Sequence, residues 1–169
     1  MKNILILFFF LFSLNSFCQN INRIITDEKT GKEILIGSCN KQGLMQLPYS
    51  DWFNKEYEAY VPDRLVLSQL KPFAGSWAVL VIMGTWCHDS HQQVPRFIKT
   101  IESAGFLPGN LKILSVDTQK KCDEADIPSM NIERVPTFII YNGDKEIGRI
   151  IETPKITLET DLLNILQNQ

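Results

Sequence analysis

Apolar and polar positions along this chain follow two rhythms, and each predicts a kind of element. Residues 77–83 (WAVLVIM) are apolar without interruption, the pattern of a strand covered on both faces. The short stretch Gly84-Thr85-Trp86-Cys87 reads as a turn. From His88 to about Ala104 the apolar residues Val94, Phe97, Ile98 and Ile101 recur at helical spacing. Residues 111–116 form a second buried-strand pattern, so strand, helix and strand predict a parallel pair joined by a right-handed crossover. Residues 136–141, the dipeptide Asn142-Gly143 and residues 146–151 predict an antiparallel hairpin. A closing helix starts at Thr157 or Thr160, with Ile156, Leu158, Leu162, Leu163 and Ile165 as its apolar positions. The order β-α-β, then β-β-α, predicts an α/β fold with a mixed sheet flanked by helices.

The first third of the chain has a different texture. Met1-Lys2-Asn3 is a short basic start, residues 4–12 are all apolar, and Phe17-Cys18-Gln19 follows a small polar stretch. This is the three-part layout of a secretory signal peptide over residues 1–18, and its apolar run is too short to span a bilayer. Lipidation of Cys18 is the competing reading, although Asn15 and Phe17 fit poorly beside a lipoprotein cysteine. Residues 19–74 read as an N-terminal extension. Residues 24–26 and 33–36 flank a turn and suggest a hairpin. Trp52, Phe53, Tyr57 and Tyr60 form an aromatic stripe on a helix opening near Ser50, which reads as core. Pro62-Asp63 opens another short helix with Leu65, Leu67 and Leu70. No chemical motif stands out in this extension.

Composition narrows the function classes. With 169 residues, 44% hydrophobic and 21% charged, the chain suits one globular domain. A net charge of −2 offers no basic footprint for nucleic acid, and four cysteines are too few for a disulfide-packed miniprotein. After removal of a signal peptide three cysteines remain: Cys39, Cys87 and Cys122. An odd number in an oxidising compartment leaves at least one thiol unpaired within the chain.

Cys87 is the candidate for chemistry. It stands on a strand-to-helix turn, where unsatisfied N–H groups and the helix dipole favour a thiolate, the nucleophile of disulfide exchange. Both histidines of the chain, His88 and His91, are its neighbours. A protonated His88 would favour the thiolate further, His91 lies one helical turn on and could exchange a proton with the sulfur, and Asp89 opposes both. Trp86-Cys87-His88-Asp89-Ser90 resembles the active-site motif of the thioredoxin family. Pro95 matches the proline of that family's active-site helix, Val135-Pro136-Thr137 resembles its cis-proline loop, and Asp117 resembles the acid that closes a strand there. The resemblance covers roughly residues 75–169. It implies a thioredoxin-like fold, a cis peptide at Pro136 lying against the sulfur, and Val135 offering its backbone to an extended substrate. Trp86 would then form an apolar wall.

The departures from that pattern shape the expected mechanism. Ser90 stands where the family has its second cysteine; its hydroxyl can hydrogen-bond a thiolate but cannot resolve a mixed disulfide. Val81 stands where many members carry a buried acid. The expectation is monothiol exchange, reductase-like or isomerase-like, through Cys87, with protein or small-molecule thiols and disulfides as partners and without a cofactor. Cys122 and Cys39 are candidate resolving thiols; structural roles are their alternative. Two competing readings are a retired binding module that keeps the cis-proline groove, and a metal carrier using Cys87, His91 and His88. Metal is disfavoured because the chain has no third histidine. The signal peptide points to a periplasmic or otherwise secreted protein, without stable membrane insertion after cleavage.

Overall fold

A computed structural model describes residues 21–168; the expected signal peptide and the Cys18 site lie outside them. The first strands among the described residues form a two-stranded antiparallel hairpin, β1 (Ile24–Thr26) and β2 (Glu33–Leu35). It continues through β3 (Gly37–Cys39), α1 (Lys41–Leu44), α2 (Ser50–Ala59) and α3 (Arg64–Leu70). Then follow β4 (Ala78–Met83), α4 (His88–Ser103), β5 (Leu111–Ser115), β6 (Thr137–Asn142), β7 (Lys145–Ile151) and α5 (Leu158–Gln167). Local chemistry sets several helix starts. Asp63 caps α3 by accepting from the Leu65 and Val66 N–H groups at 2.7 and 3.2 Å, and Thr157 caps α5 by accepting from Thr160 N–H at 3.2 Å.

The main sheet is mixed and five-stranded, in the order β3-β5-β4-β6-β7. β4 lies at its centre, parallel to β5 and antiparallel to β6. Period-two alternation divides β4 between two apolar clusters: Val79, Val81 and Met83 face the larger, and Ile82 faces the smaller. The larger cluster takes Phe53 of α2, Leu70 of α3, Phe97 and Ile98 of α4, and Leu162 and Leu166 of α5. The smaller is closed by Val116, Ile127, Ile132 and Val135, from the segment between β5 and β6. Val81, at the position expected to lack an acid, is fully buried among apolar side chains.

The N-terminal section belongs to this architecture more closely than its sequence suggests. β3 joins the sheet as an edge strand, antiparallel to β5. Gly37 makes the bend into it at φ +75°; a Cβ there would collide with the Glu124 carboxylate, which accepts from Ser38 N–H at 2.8 Å. Buried Glu159 of α5 accepts from the Tyr60 hydroxyl at 2.6 Å and from Asp63 N–H at 3.0 Å, holding the α2–α3 connection. Arg96 of α4 binds Glu56 of α2 through Nε and Nη2 at 2.9 and 2.6 Å. Leu65 departs from its expected core position: it is 75% exposed while Leu70 is fully buried, because the two stand on different faces of a short helix that meets α5 on one side. Ile156 is likewise exposed, just ahead of the cap of α5. Among the described residues no helix is long and apolar enough to cross a membrane.

Candidate functional site

The central strand ends at Met83, and residues 84–87 turn its direction into α4. Cys87 N–H donates to the Gly84 carbonyl at 3.0 Å, closing the turn. The Trp86 indole folds back over Gly84 and donates from Nε1 to the Val116 carbonyl at 2.9 Å. A Cβ on Gly84 would come within 2.5 Å of that indole, so this position needs glycine for space. Cys87 is the N-cap residue of α4, half-buried, in extended backbone geometry, and its carbonyl accepts from His91 N–H at 3.0 Å. The first-turn N–H groups that follow it have no intrahelical acceptors, and the Cys87 side chain makes no capping hydrogen bond to them.

The second half of the site comes from the loop before β6. Cys87 Sγ donates to the Val135 carbonyl at 3.1 Å, and the Val135–Pro136 peptide is cis. Three contacts hold the loop. The Thr137 hydroxyl donates to the Arg134 carbonyl at 2.7 Å, Glu152 N–H donates to the Pro136 carbonyl at 2.7 Å, and Arg134 pairs with Glu152 at 2.6 Å. The N–H of Val135 has no hydrogen-bond partner among the described residues. Trp86, Cys87, Val135 and Pro136 are thus brought together.

Other candidates take different places. Ser90 is fully buried, and its Oγ accepts from Gly84 N–H at 3.3 Å; it braces the turn instead of bonding the Cys87 sulfur. His88 is exposed on the first residue of α4. The His91 Nε2 lies 2.8 Å from the Thr85 carbonyl. A carbonyl only accepts, so Nε2 carries the hydrogen and is not free to relay a proton to the sulfur. This also removes Nε2 from the Cys87/His91 metal pair; among the described residues no group of three His, Cys, Asp or Glu side chains is placed to hold a metal ion. Burial lowers the His91 pKa, the Thr85 carbonyl works against that, and nearby His88 adds to it. Asp117 closes a tight turn by accepting from Gln119 and Lys121 N–H at 2.8 Å each.

The three described cysteines are all free thiols. Cys122 is half-buried and packs against the same smaller apolar cluster as Trp86 and Cys87. Its loop is fastened to the N-terminal section by the Arg23–Asp123 pair and by Glu124. Cys39 is not brought to Cys87. It lies on β3 within the larger cluster, and burial, with the Glu124 charge nearby, pushes its thiol up to about 12. A thiol held protonated in the core does not fit the resolving role.

One neighbour of the site escapes sequence reasoning. Trp52 of α2 is half-buried and stacks on the His91 ring, with centroids 4.4 Å apart and planes 12° from parallel, while adjacent Phe53 takes the core position. Two consecutive aromatic residues on one helix cannot share a face, and that was the available signal. Trp52, Trp86, Thr85, His91, Tyr49 and Lys32 line a groove of about 530 Å³ beside the Cys87 turn.

No family model matches this chain, and no curated protein matches it. Among solved structures, the 1.5 Å crystal structure of a protein of unknown function from Pseudomonas aeruginosa superposes with a TM-score of 0.50 at 15% identity, covering 70% of this chain and 81% of that one. An HIV epitope-scaffold superposes with a TM-score of 0.48 at 12% identity, covering 71% and 82%. The Pseudomonas protein shares the general α/β architecture; it says nothing of activity.

Proposed function

We propose that the chain is an exported, thioredoxin-like protein that carries out thiol–disulfide exchange through the single thiol of Cys87. The observation that supports this best is the 3.1 Å contact between Cys87 Sγ and the carbonyl before Pro136. In the first step Cys87 loses its proton to solvent, and Sγ attacks one sulfur of a substrate disulfide. A Cys87–substrate S–S bond forms, the substrate S–S bond breaks, and the departing thiolate takes up a proton. The bonded sulfur then has no hydrogen to donate, so the Val135 carbonyl becomes free beside the free Val135 N–H. Together they offer an acceptor and a donor to the backbone of an extended substrate, and Trp86 offers an apolar wall.

Ser90 supplies no second thiol, so the mixed disulfide waits for an attacking thiol from elsewhere. Attack by a third substrate thiol, other than the one just released, returns Cys87 and gives a rearranged disulfide with no net redox change; attack by the released thiol only restores the starting disulfide. Attack by a small thiol also returns Cys87; a second equivalent of that thiol completes a net reduction. Cys122 is the candidate resolving thiol within the chain: its attack would release the substrate thiol and leave a Cys87–Cys122 disulfide for two equivalents of a small thiol to reduce. Cys122→Ser separates that route from direct attack by an external thiol.

The test is incubation of reduced protein beginning at Gln19 with glutathione disulfide, followed by peptide mass spectrometry. A glutathione adduct at Cys87 that is absent in Cys87→Ser, with Cys39 unmodified, supports the reading. Failure of Cys87 to form the adduct in folded protein overturns it and leaves a binding role for the Val135 edge.

A further inference from the structure

The turn that carries Cys87 is braced by a side chain outside its own strand–helix unit. The Trp52 indole covers one face of the His91 ring at 4.4 Å, and the ring edge donates to the Thr85 carbonyl at 2.8 Å. Thr85 stands two residues before Cys87, and its hydroxyl accepts from Leu35 N–H at 3.1 Å, a second tie to the N-terminal section. The imidazole is thus fixed in plane by the indole and in rotation by the carbonyl. Tilting the ring would weaken both contacts at once.

We propose that Trp52 is a positioning residue for Cys87: its indole sets the plane of His91, His91 sets the Thr85 carbonyl, and the turn so fixed holds Sγ in register with Val135. The inference rests on reading Cys87 as the exchanging thiol, and it gives the N-terminal section a share in the chemistry. The chain of contacts is contiguous from α2 to the residue that precedes Trp86. Phe53 already fills the core position of this helix, so the burial of α2 does not depend on Trp52 alone.

Two rates on Cys87 test it: exchange with glutathione disulfide, which requires the substrate to align with Val135, and alkylation by iodoacetamide, which does not. Trp52→Ala is expected to slow exchange about fivefold, the weight of one ordinary hydrogen bond, while alkylation changes less than about twofold. Trp52→Phe, which keeps a flat ring for His91, restores exchange to within about twofold of wild type. His91→Leu slows exchange as Trp52→Ala does, and the double variant loses no more than either alone, since both act through one carbonyl. Imidazole ¹⁵N spectra show the Nε2–H tautomer in wild type and its loss in Trp52→Ala. Unchanged exchange in Trp52→Ala, additive losses in the double variant, or a fall in both rates with Cys39 becoming reactive overturns the inference. Wild-type protein inert toward glutathione disulfide overturns the reading of Cys87 first, and this inference with it.

Discussion

Replacing Gly84 by alanine puts a methyl group where the Trp86 indole now lies. The backbone at Gly84 is outside the left-handed region, so the cost falls on the ring, which the new Cβ would approach to 2.5 Å. The indole must shift outward. Overpacking of this kind costs about 1–3 kcal/mol. Moving the ring also weakens the 2.9 Å bond from Nε1 to the Val116 carbonyl, adding about 1 kcal/mol. The expected loss is therefore about 2–4 kcal/mol, a fall in Tm of about 5–15 °C for a chain of this size. Urea unfolding of wild type, Gly84→Ala, Trp86→Phe and the double variant measures it. The smaller phenyl ring makes room for the methyl group, so the double variant is more stable than the two single losses add up to, with coupling of about 1 kcal/mol or more. A Gly84→Ala loss below about 0.5 kcal/mol, or strict additivity, would refute the argument that indole and Cβ compete for one volume.

Asp27 ties the β1–β2 turn to the segment after β5. Burial opposes its charge, but hydrogen bonds from Thr30 and Thr118 outweigh that and bring its pKa to about 2. Its folded value lies below the ordinary 3.8, so this stabilisation is complete above about pH 4 and is lost as pH falls toward 2. Asp27→Asn should flatten that acid limb in a series of urea midpoints. Glu159→Ala leaves the Tyr60 hydroxyl and Asp63 N–H without their acceptor and is expected to cost about 2–3 kcal/mol, with Glu159→Gln milder; thermal unfolding distinguishes them. Cys39 should resist alkylation in folded protein at neutral pH and react only in denaturant, as peptide mapping would show.

Legibility differed across the chain for physical reasons. β4, α4, the β6–β7 hairpin and the Thr157 cap are recorded in side-chain type: continuous apolar runs, helical spacing and a hydroxyl at the right offset. β3 is not. Gly37-Ser38-Cys39 carries no strand signal of its own, and its place in the sheet comes from backbone pairing with β5 and from the Glu124 carboxylate, which is remote in sequence. At the site, the meeting of Cys87 and Trp86 with Val135 and Pro136 was implied by the family resemblance of residues 86–90 and 135–137, not by any local pattern. The partners of Ser90 and His91 were not implied, because a hydroxyl and an imidazole each had several acceptors or donors within reach of one helical turn. Gly84 and the Thr85 carbonyl were chosen by the tightness of the turn. Trp52 was hidden because its contact lies between α2 and α4, and no local pattern records which of two adjacent aromatics faces the core.

Turnover is the most direct trial of the central claim. A peptide carrying a mixed disulfide with glutathione, treated with reduced glutathione, should be reduced faster by wild-type protein and by Cys122→Ser than without protein. Cys87→Ser should show no acceleration. Acceleration that survives Cys87→Ser, or wild-type protein that leaves the uncatalysed rate unchanged, would contradict the assignment of Cys87 as the exchanging thiol.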